Sequence, residues 1–338
     1  MDFTEAQFKK VSFRNATFSN KADFTNATFS EQAVFLGTSF AKDIDFKGAR
    51  FKEADFSLAN ASGKAAFDSA TFSEQADFTN ATFLELANFH FTVFERGAAF
   101  IHSRFLKEAN FIRTKFSEKA GDKAAFDSAT FSEYVDFGNA RFPEKTVFRY
   151  SVFKGDVDFS NATFGIFEKQ VDFDSEADFT ASAFLERADF SGAKFMKAHF
   201  VSSSFGEKAY FITTEFYSKA NFKQAYFSGQ ATFFYTQLGD KPDFSDVLFE
   251  NAQKVLFSVK ELLHPTSFIN TNITSVRFSK AVNWAEEKID SSVDLEALKA
   301  VYRNLRENYE NSFRFIDAQI YHIIEMDLKR KYRGQEIL

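Results

Sequence analysis

The chain has 338 residues, a formal net charge of −6 and no cysteine, which excludes disulfides, thiolate metal sites and thiol nucleophiles. Its apolar content is dominated by one residue type, with 51 Phe against one Trp and three Met. The charge is uneven: residues 1–250 carry 28 basic and 35 acidic side chains, a net −7, whereas residues 251–338 carry 13 and 12, a net +1. No apolar run approaches the roughly 20 residues of a membrane-spanning helix.

Phenylalanine recurs at steps of five and six residues from Phe3 to Phe249, and a small or β-branched residue precedes nearly every one of them by two positions. Two inward residues separated by one outward residue are typical of a short strand. Only Ala61, Gly121 and Leu238 interrupt this phenylalanine ladder. We predict that the ladder forms the structural core, as represented by Phe24, Phe29, Phe78, Phe83, Phe131, Phe179 and Phe222.

The spacing of the ladder argues against a helical bundle, because apolar positions five or six residues apart drift around a helix of 3.6 residues per turn. It indicates instead two or three extended residues followed by a tight corner. Four such steps close one coil, and two steps of five plus two of six give 22 residues per coil. We therefore expect about eleven coils in which every second corner is one residue wider.

Residues 22–26 and 76–80 both read Ala-Asp-Phe-Thr-Asn. This resembles the motif of the pentapeptide-repeat family, Ala-(Asp/Asn)-(Leu/Phe)-X-X, and the resemblance extends over residues 1 to about 284. It implies an all-β solenoid, namely a right-handed quadrilateral parallel β-helix.

Two nearly equivalent interruptions suggest a duplication. Ala61 and Gly121 each precede the same nine-residue sequence, at residues 64–72 and 123–131. We interpret them as a duplicated unit with a slack corner, and the functional alternative is a groove.

Other irregularities concern aromatic residues. Residues 165–167 read as a three-residue insertion that places Phe167 on the outside. Phe91, Phe234 and Tyr235 also fall outside the inward register, and only a contiguous patch of such residues would indicate an interface.

The repeat is irregular at residues 250–265, where a short helix is one interpretation. The spacing then resumes, and we predict six more inward positions: Phe257, Leu262, Phe268, Ile273, Phe278 and Trp284. The predicted repeat domain therefore spans residues 1–284, and residues 285–338 form a second unit.

The period changes to i, i+3, i+4 after Trp284, which predicts two antiparallel helices over about 291–310 and 313–331. The apolar residues of the second helix include Phe313, Ile316, Ile320, Ile323, Ile324 and Leu328. Because the open end of a solenoid invites pairing with another chain, we expect this hairpin to form a C-terminal α-helical cap.

The sequence indicates no catalytic set and no cofactor. The histidines His90, His102, His199, His264 and His322 show no metal-ligand spacing. Aspartates recur directly before the ladder residue, so columns of them could bind a divalent cation; the alternative is that each carboxylate accepts a hydrogen bond at a corner. They are Asp23, Asp45, Asp55, Asp77, Asp136, Asp158, Asp178 and Asp189. We expect a protein that is not an enzyme.

Three functions stay open. The first is a rod-like scaffold that binds a protein partner through its faces or its helical cap, without direct nucleic-acid binding. The second, implied by the resemblance, is an acidic DNA mimic that acts on DNA gyrase or topoisomerase. The third is the soluble part of a membrane-linked pentapeptide-repeat protein, in which Lys329, Arg330, Lys331 and Arg333 would contact the membrane or a partner. We expect a cytoplasmic location, with membrane association if the native chain continues past Leu338.

The ladder begins at Phe3 with no preceding cap. We therefore expect either homodimerisation through residues 1–20 or a frayed first coil.

Overall fold

The computed structural model describes residues 1–117, 119, 121–165, 175–239, 242–259, 268–279 and 295–335. They form a parallel β-solenoid of about 11 turns with two C-terminal helices as a cap. The fold predicted from the ladder is confirmed.

The solenoid has four faces, because each turn contributes one short strand to each of four parallel ladders. Face 1 consists of Ala22–Asp23, Ile44–Asp45, Ala65–Ala66, Ala87–Asn88, Ala109–Asn110, Val135–Asp136, Val157–Asp158, Arg187–Asp189, Lys208–Tyr210, Gln230–Phe234, Val255–Ser258 and Arg277–Phe278. Face 2 consists of Gln7–Phe8, Thr71–Phe72, Val93–Phe94, Lys115–Phe116, Arg141–Phe142 and Thr163–Phe164. Face 3 consists of Val11–Ser12, Ala76–Asp77, Ala98–Ala99, Lys123–Ala125, Lys145–Val147 and Glu176–Asp178. Face 4 consists of Thr17–Phe18, Ser39–Phe40, Asn60–Ala61, Thr82–Phe83, Arg104–Phe105, Thr130–Phe131, Val152–Phe153, Ala183–Phe184, Ser204–Phe205, Tyr226–Phe227 and Leu248–Phe249.

Faces 2 and 3 are joined where a strand continues around the corner between them. The strands that do so are Thr28–Val34, Arg50–Asp55, Lys194–His199 and Glu215–Asn221.

The alternation of five and six residues follows from two kinds of corner. The corners after faces 1 and 3 are tight β-turns, in which Ala27 N–H donates to the Phe24 carbonyl and Asn26 has φ 56°. A turn of this kind needs positive φ at its third residue, and Asn and Gly adopt that conformation at the lowest cost. The corners after faces 2 and 4 take the extra residue, so the predicted wider corner is present.

Phenylalanine rings of successive turns stack inside the solenoid. Phe89, for example, lies 4.8 Å from both Phe67 and Phe111, with ring planes nearly parallel. All seven residues named above to represent the ladder are buried: Phe24, Phe29, Phe78, Phe83, Phe131, Phe179 and Phe222. Such offset ring contacts add to the transfer free energy of each buried ring.

The small residue two positions before the ring is also buried, and where it is Ser or Thr its hydroxyl is satisfied. Thr92 Oγ1 donates to the Phe67 carbonyl at 2.7 Å, and Thr114 Oγ1 donates to the Phe89 carbonyl at 2.7 Å. This bond lets a hydroxyl replace Ala in the core without an unpaired polar group.

Two interpretations of the irregularities are wrong. Ala61 is a true ladder position on face 4, but Gly121 is exposed and lies in an insertion between faces 2 and 3, where Phe126 follows Phe116. The identical sequences 64–72 and 123–131 therefore do not form equivalent units, since they start on the opposite faces 1 and 3.

The second insertion lies at the same corner of the solenoid. The next described ladder residue after Phe164 is Phe179, which stacks on Phe148 at 5.0 Å. The insertion is thus longer than three residues, and the expected position of Phe167 lies outside the described residues.

The last turns continue the ladder past residue 250. A short 3₁₀ helix, Ala252–Lys254, precedes the strand that contains Phe257, and Phe257, Phe268 and Ile273 are buried as expected. Phe278 is half-buried. Leu262, Trp284, His264 and the predicted domain boundary at 284/285 lie outside the described residues.

The two helices are α1, Leu295–Asn311, and α2, Phe315–Gln335. Both predicted helices are present. Among the described residues α1 begins at Leu295, against the predicted residue 291, and α2 ends at Gln335, against the predicted residue 331. The connection includes Phe313, which has φ 56°.

The first turn has the same pattern of backbone hydrogen bonds as the turns that follow it. The N-terminal ammonium of Met1 donates to the Lys21 carbonyl at 2.6 Å, and Phe3 N–H donates to the Asp23 carbonyl at 2.7 Å. Phe3, Phe8 and Phe13 are only half-buried. Dimerisation through this end and a frayed first coil both stay predictions.

Candidate interaction site

Helix α1 covers the last turn of the solenoid. A side-chain amide of this helix donates to backbone carbonyls that would otherwise pair with a further strand. The buried Asn308 donates through Nδ2 to the carbonyls of Ile273 at 2.8 Å, Thr274 at 3.1 Å and Val276 at 2.6 Å. Asn304 Nδ2 donates to the Thr271 carbonyl at 3.3 Å. These bonds anchor the helical cap to the rod. Asn304 and Asn308 lie one helical turn apart, and this spacing was the available signal in the sequence.

Helix α2 packs on α1 through an apolar face. The buried side chains on its inner side are Ala318, Tyr321 and Leu328. Tyr321 stacks on Tyr309 with ring centroids 5.2 Å apart, and the Arg314 guanidinium lies 4.6 Å from the Tyr309 ring centroid. Aromatic and cation–π contacts of this kind fix the hairpin in one arrangement.

A buried carboxylate joins the two helices. Glu325 of α2 accepts bonds from Arg306 Nη1 at 2.6 Å and Arg303 Nε at 3.3 Å on α1, and it pairs with Lys329 Nζ at 2.8 Å. Burial alone raises the pKa of Glu325, but the hydrogen bonds from Lys329 and Arg303 and the charge of Arg306 hold that pKa below its ordinary value. Glu325 is therefore ionised at neutral pH and stabilises the hairpin.

The side of α2 opposite α1 carries large apolar side chains that are partly or largely exposed. We call this surface the α2 stripe. Its members, with the exposed fraction of each, are Ile316 (82%), Ile320 (52%), Ile323 (55%) and Met326 (37%), and the exposed Phe313 (82%) precedes them in the connection between the helices. The sequence predicted Ile316, Ile320 and Ile323 as part of one apolar face with Ile324 and Leu328. Instead, α2 has two apolar sides, and only one packs on α1.

The predicted basic contact residues follow the stripe. Lys329 is bound to Glu325, and Arg330 Nη1 pairs with Asp327 at 3.3 Å. The side chains of Lys331 and Arg333 lie outside the described residues. A role of these four residues at a membrane or partner stays a prediction.

The aspartates at the corners serve the backbone. All eight accept a hydrogen bond through Oδ1 from the N–H two residues later, for example Thr25 N–H to Asp23 at 3.1 Å and Gly138 N–H to Asp136 at 2.7 Å. The Thr25 hydroxyl also donates to Asp23 and holds the pKa of that carboxyl below its ordinary value. The columns are split between faces 1 and 3, and the described residues contain no group of His, Asp and Glu suited to a metal ion. The alternative interpretation of these aspartates, a bond at the corner, is the one observed.

Charges of both signs alternate over the described surface of the rod. Arg149 pairs with Asp127 at 3.0 Å, Arg187 with Asp156 at 3.4 Å and Lys107 with Glu133 at 2.5 Å. The described histidines are dispersed: His90 and His102 lie at corners, His199 lies on face 3 and His322 on α2.

Exposed aromatic residues of the solenoid are dispersed as well. Phe91, Tyr150 and Tyr235 occupy the positive-φ position of corners in different turns, and Arg113 lies 5.4 Å from the Phe91 ring centroid. They do not form a contiguous patch, so the α2 stripe is the stronger interaction surface.

A small void marks the missing ring at Ala61. Its volume is about 10 Å³, and its walls are apolar and include Phe40, Phe83 and Ile44. It holds too little space and too few polar partners for an ordered water, so it is not a ligand site.

The fold and this surface define a class of protein: a parallel β-solenoid whose ordered helical cap presents an unpartnered apolar stripe. The family description "pentapeptide repeats (9 copies)" matches residues 3–50 and 126–165. The chain thus contains pentapeptide repeats, and its Phe-centred β-solenoid fits that family. No curated protein sequence and no solved structure shows a significant match to it. None of the helices in the described part of the chain has the length and apolar character of a membrane span.

Proposed function

We propose that this pentapeptide-repeat protein is a non-catalytic interaction scaffold that docks an amphipathic helix of a protein partner on the α2 stripe. The observation that carries the proposal is the exposure of Ile316, Ile320 and Ile323 on the side of α2 that faces away from α1. A row of apolar residues at helical spacing binds another helix by the same knobs-and-holes packing that joins helices within a bundle.

The remainder of the molecule suits this role by holding the stripe in place. Asn308 binds three carbonyls of the last turn, and Glu325 joins α2 to α1. A docking surface that is already ordered loses less conformational entropy on binding than a flexible segment does.

The experiment uses the absence of cysteine, because a single Gln319→Cys substitution takes one environment-sensitive fluorophore beside the stripe. The probe is an idealised leucine–lysine amphipathic peptide, and the control is a scrambled peptide of equal composition. We expect a saturable fluorescence change with the amphipathic peptide only, and we expect Ile316→Glu to weaken it at least about tenfold. Equal responses to both peptides, or none, would refute the proposal.

The gyrase alternative has its own readout. A supercoiling assay with purified gyrase, titrated with this protein, would show inhibition or protection if the acidic body mimics DNA. Variants with Asp136, Asp158 or Asp189 replaced by Lys would then lose the effect. Ion pairs such as Arg187–Asp156 interrupt the acidic surface, so no observation on the described residues favours this alternative.

A further inference from the structure

We propose that a cleft between the last turn of the solenoid and the end of α1 binds a small organic carboxylate. The cleft has a volume of about 280 Å³. Residues 274–278 line it on the rod, and Asn308, Asn311, Ser312 and Arg314 line it on the cap. Pockets for drug-sized ligands measure about 300–1,000 Å³, so this cleft suits a smaller molecule. The site is separate from the α2 stripe, because none of the described lining residues belongs to the stripe.

The charge of the cleft favours an anion. Its described lining contains two arginines and no carboxylate. Arg314 is already neutralised, since its Nε and Nη2 lie 3.0 and 2.9 Å from Asp317 Oδ2. Arg277 is exposed, and it has no ion pair among the residues that the structure describes. One guanidinium is thus left to balance one negative charge, and its planar fork matches the two oxygens of a carboxylate.

The last described strand of face 1, Arg277–Phe278, adds a backbone donor. Along face 1 the N–H of the ring residue donates to the following turn, as Phe24 N–H does to the Asp45 carbonyl at 2.7 Å. Phe278 pairs with Phe257 of the preceding turn in the same register. The Phe278 N–H is therefore directed to the cap side of the strand, where the cleft lies. Backbone N–H groups at the edge of a sheet are suited to binding anions.

A cation fits the cleft less well, because the carbonyls around it are already bonded. At the end of α1, the Asn308 carbonyl accepts from Ser312 N–H at 3.1 Å and the Tyr309 carbonyl accepts from Arg314 N–H at 2.8 Å. On the rod, Asn308 Nδ2 donates to the carbonyls of the last turn. These bonds occupy the acceptors that a cation would need, and they weaken the negative end of the α1 dipole.

The lining also indicates an apolar part of the ligand. Phe278 is half-buried and stacks on Phe257 with ring centroids 5.8 Å apart, and it provides an apolar wall next to Arg277 in the chain. Small-molecule sites commonly combine apolar walls with a few polar groups that fix the orientation of the ligand. The ligand class is therefore a carboxylate on a compact apolar body, and its binding joins the rod to the connection between the two helices.

The first test is titration calorimetry of the full chain with sodium benzoate. We expect saturable binding that Arg277→Gln weakens at least about tenfold, because hydrogen bonds to a charged group are lost. Arg277→Lys keeps the charge without the fork and should bind with intermediate strength. The control is Arg104→Gln, which removes an exposed arginine from the equivalent outward position of a strand on face 4, and it should bind as the unchanged chain does. No binding, or equal binding by Arg277→Gln, would overturn the proposal.

Two further probes test the ligand class. Benzamide has the shape of benzoate without its charge, and sodium phosphate has charge without an apolar body. We expect each to bind at least about tenfold more weakly than benzoate. Equal or stronger binding of either probe would contradict the carboxylate class.

The location of the site is tested by hydrogen exchange with and without benzoate. We expect slower exchange over residues 273–279 and 308–314, which contain both sides of the cleft, and unchanged exchange over residues 316–326 of α2. Protection elsewhere in the chain, without protection of these two segments, would overturn the proposal and would leave the docking role of the α2 stripe untouched.

Discussion

The solenoid and its cap bury apolar residues in different ways. In the inner turns of the solenoid an inward ring is covered by the turns on either side, as Phe137 is by Phe111 and Phe159 at 4.8 Å each. In the cap, α2 covers only one of its two apolar sides. The stability of the rod therefore comes from the stacking of successive turns, whereas the cap keeps apolar surface exposed. The rod thus supports the fold, and the exposed surface that we propose for interaction lies on the cap.

The largest expected effect is in the rod. Phe137→Ala removes a fully buried ring between two stacked neighbours and should lower the free energy of unfolding by about 3–5 kcal/mol. Denaturant unfolding measures it. The matched control, Tyr150→Ala, removes an exposed aromatic residue and should cost less than about 0.5 kcal/mol. Equal costs would show that the ladder does not carry the stability.

The second effect separates the regions. Asn308→Leu leaves the Val276 carbonyl without its donor, at a cost of about 1–3 kcal/mol for a buried group, whereas the Ile273 carbonyl keeps the Val276 N–H as its donor. Hydrogen exchange should accelerate in the cap and the last turn while the first turns stay unchanged, because solenoid turns contact only their neighbours. Asn311→Leu, at an exposed position of α1, is the control. A uniform acceleration would contradict the local anchoring.

The third effect is a pH dependence of the cap. A carboxyl with a lowered pKa contributes stability that is present above its unfolded pKa of about 4.3 and is lost as pH falls through the folded value. Helix docking through Glu325 should thus weaken below about pH 4.3, as followed by tyrosine fluorescence of the hairpin. Glu325→Gln should remove this pH dependence and destabilise the hairpin at neutral pH. Asp327→Asn, the control, should leave the pH dependence unchanged. An identical pH profile for Glu325→Gln would contradict this role.

The smallest effect concerns the corners. Leu58 and Asn80 occupy the same positive-φ corner in successive turns, with φ 57° and 58°. Leu58→Asn should stabilise the rod by about 1 kcal/mol, because Asn accepts the left-handed conformation more readily. Asn80→Leu should destabilise it by a similar amount in thermal unfolding. Changes of the same sign in the two variants would rule out backbone conformation as the cause.

The rod could be predicted from sequence because its rule is local: each Phe, and the small residue before it, forms one strand and one corner. Gly121 was wrongly predicted as a ladder position. The inserted segment that contains it is about as long as one step of the ladder, and spacing alone cannot distinguish the two. The equal sequences at 64–72 and 123–131 misled for the same reason, because spacing does not identify a face.

The cap was harder to predict. Helical spacing identified α1 and α2, but it could not divide Ile316, Ile320 and Ile323 from Leu328, because which side of α2 packs depends on α1. Helical spacing also could not show that Asn308 and Glu325 are buried, because polar residues of a helix usually lie at positions exposed to solvent. Both depend on contacts between segments far apart in sequence.

The most direct test of the account is hydrogen exchange of the unchanged chain and of Ile320→Glu, each with an excess of the amphipathic probe peptide. The account predicts that residues 313–330 exchange more slowly in the unchanged chain than in Ile320→Glu, because the peptide binds only to the α2 stripe. Exchange throughout the solenoid should be equal in the two proteins. Equal exchange in α2, or a difference spread over the solenoid faces, would contradict it.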